Sequence, residues 1–403
     1  MDWSLQESKL MTKLKLLKPG AKETTSCCVP GPGALQGRDE VACTTSPPLS
    51  KKERPAWVSG LLRTDIGAIP VVSTDLSRSD YWQHVKCRIS AFRNNFTVDP
   101  GLYAVGAPDK TSDVFVSANY KLSFDILRKA LQGLNAWVIV LDTKGINVWC
   151  AAGKGTFGTD ELVQRISITE LDRFVDHRRI IVPQLGAPGI IAHEVKKSSG
   201  FKVCYGPVRA EDIHAYISAG YQATREMRTV TFPLIDRLIL TPMEINPAMK
   251  KYYPWYAVII LSIFGLQPGG IFFREALAGG LPFLLLGLIS IITGALVTPV
   301  LLPFIPFRSF AAKGWIIGML AVFLSITFIP VFRYLNMLLF IAAFLFFPLA
   351  SSYIALQFTG SSTFTGMSGV KKELKISIPL YISGLAVSLI LLIVYKLGEW
   401  RIL

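Results

Sequence analysis

Charge is scarce in this chain: Asp, Glu, Lys and Arg make up 17% of its 403 residues against 51% hydrophobic ones, and the mean hydropathy is +0.42. The scarcity is uneven. From Met1 to Lys251 charged residues recur every few positions, whereas from Tyr252 onward long stretches carry none, which implies water as solvent for the first part and lipid for the second. Six cysteines are present (Cys27, Cys28, Cys43, Cys87, Cys150, Cys204), but no two stand in C-x-x-C spacing and none follow a ferredoxin-type run. That absence argues against an internal iron–sulfur cluster or a structural zinc. Met1 to Lys18 lacks an apolar core of roughly 7–15 residues and a small-residue cleavage site. No export signal is therefore expected, and the first part should stay in the cytoplasm with reduced thiols. No run alternates Lys or Arg with aromatics, so the formal charge of +14 speaks for an anionic membrane surface and not for nucleic acid.

The order of what is present suggests three regions. Leu10, Leu14 and Leu17 at helical spacing, with Lys9, Lys13 and Lys18 between them, suggest a short surface helix; Pro19 to Pro55 is rich in Gly, Pro, Ser and Thr. Residues 1–56 are thus expected to be a flexible tail. Across residues 57–245 apolar runs alternate with helical patterns: Val114–Val116 then Leu122–Leu131, Trp137–Leu141, Arg179–Val182 then Ile190–Lys196, Phe201–Tyr205 then Arg209–Ala219, and Thr229–Phe232 then Leu234–Leu240. This alternation predicts an α/β domain with a parallel sheet and ligands at the carboxyl ends of its strands.

Residues 252–403 read as an all-α transmembrane bundle of five helices, about Tyr253–Phe273, Ala276–Val297, Gly314–Phe332, Tyr334–Phe358 and Ile376–Tyr395. Seven Lys and Arg flank these spans on the α/β side and four on the other, so a multi-pass protein of the cytoplasmic membrane is expected, with its α/β domain inside and its C-terminus outside. The spans carry almost no ionisable groups, unlike a pump, and Gly279, Gly280, Gly287 and Gly294 suit close helix packing.

The stretch richest in chemistry is Asp142 to Gly158, after the strand Trp137–Leu141. Asn147 suits an N-cap, and Gly153 or Gly155 can end a helix of about two turns. Cys150 would then lie in the first turn, where unpaired N–H groups and the helix dipole favour an anionic sulfur ligand. Gly153 to Gly158 satisfies G-x-G-x-x-G, but it lies a dozen residues beyond its strand, and Val148 stands where a phosphate loop needs glycine. Both nucleotide motifs are chance matches. His84, His177, His193 and His214 are isolated and lack ligand spacing.

Asn-Val-Trp-Cys-Ala-Ala-Gly-Lys, Asn147 to Lys154, resembles at all eight positions the cap-helix signature of the mercury-methylating corrinoid proteins, the HgcA family. The resemblance extends through Ser117 to Lys121, Gly186 to Pro188, Tyr205 to Asp212 and Thr229 to Pro233. These parts also resemble the corrinoid-binding domain of the corrinoid iron–sulfur protein of the acetyl-CoA pathway.

The resemblance implies an α/β Rossmann-like corrinoid-binding domain holding a base-off cobalamin, with Cys150 as lower axial ligand to cobalt. It places around the corrin Asn147, Val148, Trp149, Cys150, Ala151, Ala152, Gly153 and Lys154, then Thr156, and from other segments Asn119, Tyr120, Gly186, Ala187, Pro188, Tyr205 and Gly206. The small residues Ala151, Ala152 and Gly153 would let a flat ligand approach the backbone. The implied activity is a methyltransferase passing methyl from cobalt to Hg(II) to form methylmercury. A ferredoxin-like partner with two [4Fe–4S] clusters would be the reductant, and methyltetrahydrofolate or a related carrier the methyl donor. A thiolate donates more strongly than imidazole or water, favouring departure of methyl with both bonding electrons, as an electrophilic Hg(II) requires. Cys27 and Cys28, with Cys43 on the same tail, are candidates for capturing the soft metal.

Overall fold

The computed structural model describes residues 54–333, 335–361 and 367–402. The expected surface helix at Met1–Lys18 and the tail cysteines Cys27, Cys28 and Cys43 lie outside the described residues.

Ala136–Leu141 (β5) and Asp113–Ala118 (β4) are short, apolar and almost wholly buried, so they suit the middle of a sheet covered on both faces. Arg179–Val182 (β6) and Lys202–Tyr205 (β7) extend the parallel part. On the other flank lie Val58–Thr64 (β1), Gly67–Val72 (β2) and Gly101–Val105 (β3), and the full order is β1-β2-β3-β5-β4-β6-β7. The sheet is mixed, not parallel throughout as expected, because β1 runs antiparallel to β2 and β3 antiparallel to β5. Half-exposed β1 and β2 are hard to see in the sequence, since Gly67 and Pro70 interrupt an already short apolar pattern.

Helices cover both faces. Val148–Lys154 (the third helix, α3), Thr159–Ile168 (α4) and Ala192–Ser199 (α6) put Val148, Leu162, Ile166 and Val195 onto one face. Lys121–Ala130 (α2) and Ile213–Ser218 (α7) put Phe124, Leu127, Ile213 and Tyr216 onto the other. Arg78–Ile89 (α1) packs outside α2; Leu171–Phe174 (α5) and Arg225–Arg228 (α8) are single turns. The chain leaves β4 through α2 to β5 on one side, then crosses back to place β6 on the other side of β4. A crevice must open between the carboxyl ends of β4 and β6, the switch point of a doubly wound, Rossmann-like arrangement.

The expected strand Thr229–Phe232 does not form. β7 is the edge of the sheet, and this segment instead carries the chain away from it, with the Thr231 hydroxyl held by Arg209 at 3.3 Å. Leu234–Pro247 (α9) does not cover the sheet either; it packs on α1 and runs through a wide turn, Ala248–Tyr252, into Tyr253–Gly265 (α10) without leaving helical backbone.

Among the described residues four helices are long and apolar enough to cross a membrane: Phe273–Leu301 (α11), Phe310–Phe328 (α12), Met337–Gln357 (α13) and Gly369–Glu399 (α14). The five-span expectation needs correcting at its first member. Helix α10 stops after 13 residues, at Gly265. That is about 20 Å of axis against about 30 Å of hydrocarbon. Pro268, Gly269 and Gly270 break the helical pattern, and the chain turns back through a hairpin of Leu266–Gln267 (β8) and Gly270–Ile271 (β9). Close packing holds the bundle: a Cβ at Gly294 would meet Ser351 O at 2.6 Å, and one at Gly287 would meet the Tyr256 ring at 2.6 Å.

Candidate functional site

The crevice at the switch point is a cavity of 330 Å³. Phe115 and Ser117 of β4, Ile181 of β6 with Pro183 after it, and Gly206 and Pro207 after β7 form its strand-end wall; Leu122, Ser123, Ile126 and Leu127 of α2 form one side. Asn147, Val148 and Trp149, the N-cap and first residues of α3, close the rim. It is a mostly apolar slot; Ser117, Ser123 and Asn147 are polar residues of its lining, while Tyr120, also in the lining, turns its hydroxyl to Cys87.

Helix α3 is built as the sequence suggests. Asn147 Oδ1 accepts from the Cys150 N–H at 2.9 Å, and Gly155, at φ 80°, ends the helix in the left-handed conformation. Cys150 is the third helical residue and its side chain is exposed. It does not line the cavity; it stands on the rim, one residue beyond Trp149. Gly153 and Lys154 are exposed on the same short helix.

Ala151 and Ala152 face inward, 0% and 6% exposed. Their smallness serves the packing of α3: a Cβ at Gly189 would lie 2.1 Å from Phe157 O and 3.1 Å from Ala152 Cα. Gly186 plays the same part beneath Phe157, whose ring carbon would be 2.4 Å from an added Cβ. Ala187 is partly exposed and Pro188 exposed on that turn. The Thr156 N–H donates to Ala151 O at 3.0 Å, closing the helix. Gly153 lies inside α3 and Gly155 forms its cap, so the G-x-G-x-x-G match has no strand–loop–helix setting.

Tyr120 and Gly206 line the cavity with Asn147, Val148 and Trp149, whereas Asn119 and Tyr205 do not. Tyr205 donates its hydroxyl to Ile190 O at 2.7 Å, tying β7 to the chain before α6. Asn119 Oδ1 accepts from Thr143 N at 3.1 Å, Thr143 Oγ1 at 2.8 Å and Gly145 N at 2.9 Å, and its amide donates to Asp142 at 3.2 Å. Asn119 therefore sets the loop that delivers Asn147 and Cys150. We expect Asn119→Ala to take the acceptor from the Thr143 and Gly145 N–H groups, while the Thr143 hydroxyl keeps Ile146 O, and to cost about 1–3 kcal/mol. Hydrogen exchange at the Thr143 and Gly145 amides should accelerate; unchanged protection there would refute the clamp.

Sequence reasoning missed Leu122, Ser123, Ile126, Pro183, Leu185 and Ile213 as cavity walls. Most are ordinary apolar residues, and only the strand order brings them together.

Behind the α2 wall lies a buried ionic cluster. Asp125, fully buried, accepts from Arg128 Nε at 2.7 Å, from Lys121, and meets His84 Nε2 at 2.9 Å, while Arg128 also reaches Asp80 at 3.1 Å. Burial alone would raise the Asp125 carboxyl, but the His84, Lys121 and Arg128 partners outweigh it and hold it below its ordinary value. Cys87, 1% exposed, receives the Tyr120 hydroxyl at 3.6 Å, and burial pushes its thiol upward. His177 Nε2 bonds to Ser112 O at 2.9 Å.

Residues 88–217, which span α2 to α7 and the whole cavity, match the model of the CO dehydrogenase/acetyl-CoA synthase delta subunit family. Among curated proteins, the acetyl-CoA decarbonylase/synthase complex subunit gamma of Archaeoglobus fulgidus is 27% identical over 131 residues, 32% of this chain and 27% of that protein. The corrinoid/iron-sulfur protein large subunit of Moorella thermoacetica is 26% identical over 151 residues, 35% of this chain and 33% of that one. The gamma subunit of Methanocaldococcus jannaschii is 31% identical over 104 residues, 25% and 21% of the two chains. The matched lengths are a third or less of these relatives, and the family match ends at residue 217, before the membrane helices.

Proposed function

We propose that this chain is a membrane-held corrinoid methyltransferase that binds a base-off cobalamin with Cys150 as the lower axial ligand to cobalt and delivers methyl to Hg(II), forming methylmercury. The observation that carries the reading is an exposed Cys150 in the first turn of a capped helix at the rim of the switch-point cavity.

Two independent supports meet there. The corrinoid part rests on the family match over residues 88–217 and on a relative named a corrinoid/iron-sulfur protein large subunit. The mercury part rests on the eight-residue resemblance at Asn147–Lys154 and on the membrane helices that follow. The residues fit the cofactor. The apolar slot of 330 Å³ suits a displaced flat aromatic base and is too small for the macrocycle, and an unpaired soft donor stands just outside it. When bound, the corrinoid supplies a cobalt–carbon bond from which methyl can leave.

The chain's own residues do the rest. The Cys150 sulfur would hold the metal of the bound corrinoid, and a thiolate donor there would favour loss of methyl with its electron pair. Asn147 fixes the first turn that carries Cys150, Asn119 fixes the loop before it, and the walls from Leu122 to Leu127 exclude water from the slot. Reductant and methyl come from partners: a ferredoxin-like protein with two [4Fe–4S] clusters, and methyltetrahydrofolate or a related carrier. Anaerobic assay of the full chain with cobalamin, reductant, methyl donor and Hg(II) tests the reading. Methylmercury above the protein-free rate supports it; corrinoid binding without methylmercury would leave a carrier in its place.

The same reading places the C-terminus across the membrane from the α/β domain. Although α10 alone is too short to span, it continues the helical backbone of α9 without a break and runs antiparallel to α11, so α9 and α10 together carry the chain to the hairpin, which lies beside the end of α14, where Trp400 Nε1 donates to Leu266 O at 3.2 Å. The other end of α11 meets α9, where Arg237 donates to Pro299 O at 2.9 Å. Reporters fused at Met1 and after Leu403 should report opposite sides; activity on one side only would reject this topology.

A further inference from the structure

We infer that the C-terminal end of α1 and the turn after it, Ser90 to Asn95, rest on the headgroup layer of the same bilayer that holds the helices, and recognise anionic lipid. This stands apart from the chemistry of Cys150. It begins from α1, whose one side is buried through Asp80, His84 and Cys87. The opposite side carries exposed Trp82 and Ile89, Trp82 by 68%, and the apolar strip is widened by Val85 and Tyr81, which are also exposed and border the cleft toward Ile126 and Lys129 of α2.

The position of that face suggests what covers it. Asn246 Nδ2 donates to Ile89 O, and Arg93 Nη1 reaches Met243 Sδ at 3.6 Å, so the end of α1 is pinned to the last turn of α9. From Asn246 the helical backbone continues unbroken to exposed Lys250 and Lys251, beyond which the exposed side chains are those of lipid-facing α10, Trp255 and Val258. Four helical residues are about 6 Å of axis. The headgroup layer on each side of the hydrocarbon is itself about 5–7 Å deep. Ile89 and Phe92 therefore sit at headgroup height.

The charge there has the matching sign. Lys86 lies over the Phe92 ring at 4.7 Å, Lys251 over Tyr252 at 5.2 Å, and Arg88, Arg93 and Lys250 complete a basic rim around the apolar side chains. Aromatic bodies edged with Lys and Arg suit the boundary between acyl chains and phosphates. Such a foot would fix how the cavity is presented relative to the membrane.

The test uses the full chain in nanodiscs, with Ile89→benzoylphenylalanine or Phe92→benzoylphenylalanine as photocrosslinkers. Trp255 on α10 and exposed Lys197 on α6, across the sheet from α2, serve as lipid-facing and water-facing controls. Positions 89 and 92 should form lipid adducts as Trp255 does while Lys197 forms none. Yield should rise severalfold when phosphatidylglycerol is added to phosphatidylcholine, and that rise should vanish in the Lys86→Gln, Lys250→Gln, Lys251→Gln variant. Absence of lipid adducts at both positions, or adducts to a second protein chain, would overturn the inference. Equal yields in the two lipid mixtures would overturn the recognition of anionic lipid.

Discussion

Cys150→Ala should abolish methylmercury formation while leaving the α/β domain folded. The side chain is exposed, alanine is the best helix former, and the caps at Asn147 and Gly155 do not involve the sulfur, so α3 loses nothing that holds it. What disappears is the sulfur donor at the cavity rim. Cobalamin should still bind, because the slot walls are untouched, but the sulfur-to-cobalt charge-transfer feature should be missing from the anaerobic spectrum. Cys150→Thr should match it, since a hydroxyl oxygen is a much weaker donor to a soft metal. Cys87→Ala is the opposing control. It removes a buried thiol that donates to His84 O at 3.2 Å, so it should cost about 1–2 kcal/mol and keep both spectrum and activity. Spectra paired with methylmercury assays on the three variants separate ligation from folding. A Cys150→Ala protein with wild-type spectrum and rate would remove axial ligation from the mechanism.

Much of this site is legible in the amino-acid sequence because its signals are local. Asn147, Cys150 and Gly155 lie within nine residues, and cap, helix and stop each follow from residue type. The buried strands β4 and β5 announce themselves as unbroken apolar runs. The remainder depends on distant partners. Nothing near Ile213 in sequence says that it faces Leu122 across a slot; the crossing of the chain over β4 decides it. Asn119 sits in a suggestive stretch, yet that its side chain holds the Thr143 loop is visible only where three donors converge on it. Hydropathy likewise counts apolar residues without seeing where a helix ends. Tyr253 to Phe273 satisfies a span by composition, but the Pro268-Gly269-Gly270 break divides it into a short helix and a hairpin.

Removing the buried carboxylate behind the cavity should have the largest effect on stability. In Asp125→Asn the charge that faces Lys121, Arg128 and His84 is lost with almost no change in volume, leaving two buried cations near Asp80 alone. Breaking one partner out of such a cluster costs about 3–5 kcal/mol. Because α2 supplies one wall of the slot, corrinoid retention should fall with it. The pH dependence has a definite sign. Asp125 and Asp80 both titrate below their ordinary carboxylate values when folded. Each therefore contributes stability that is fully present above the unfolded value of about 3.9 and lost as pH falls through the lower folded value. Wild type should accordingly hold its stability down to about pH 4 as far as this cluster is concerned, then weaken. Asp125→Asn should start lower and show a shallower acid limb, having one depressed carboxylate fewer. Converting the cluster to apolar residues of similar volume, Asp125→Leu with Lys121→Met and Arg128→Met, should recover part of the loss, since no unpaired charge then remains at those positions. Thermal unfolding of the three proteins between pH 3 and 7 decides the matter. If Asp125→Asn matches wild type across that range, the cluster does not stabilise the cavity wall.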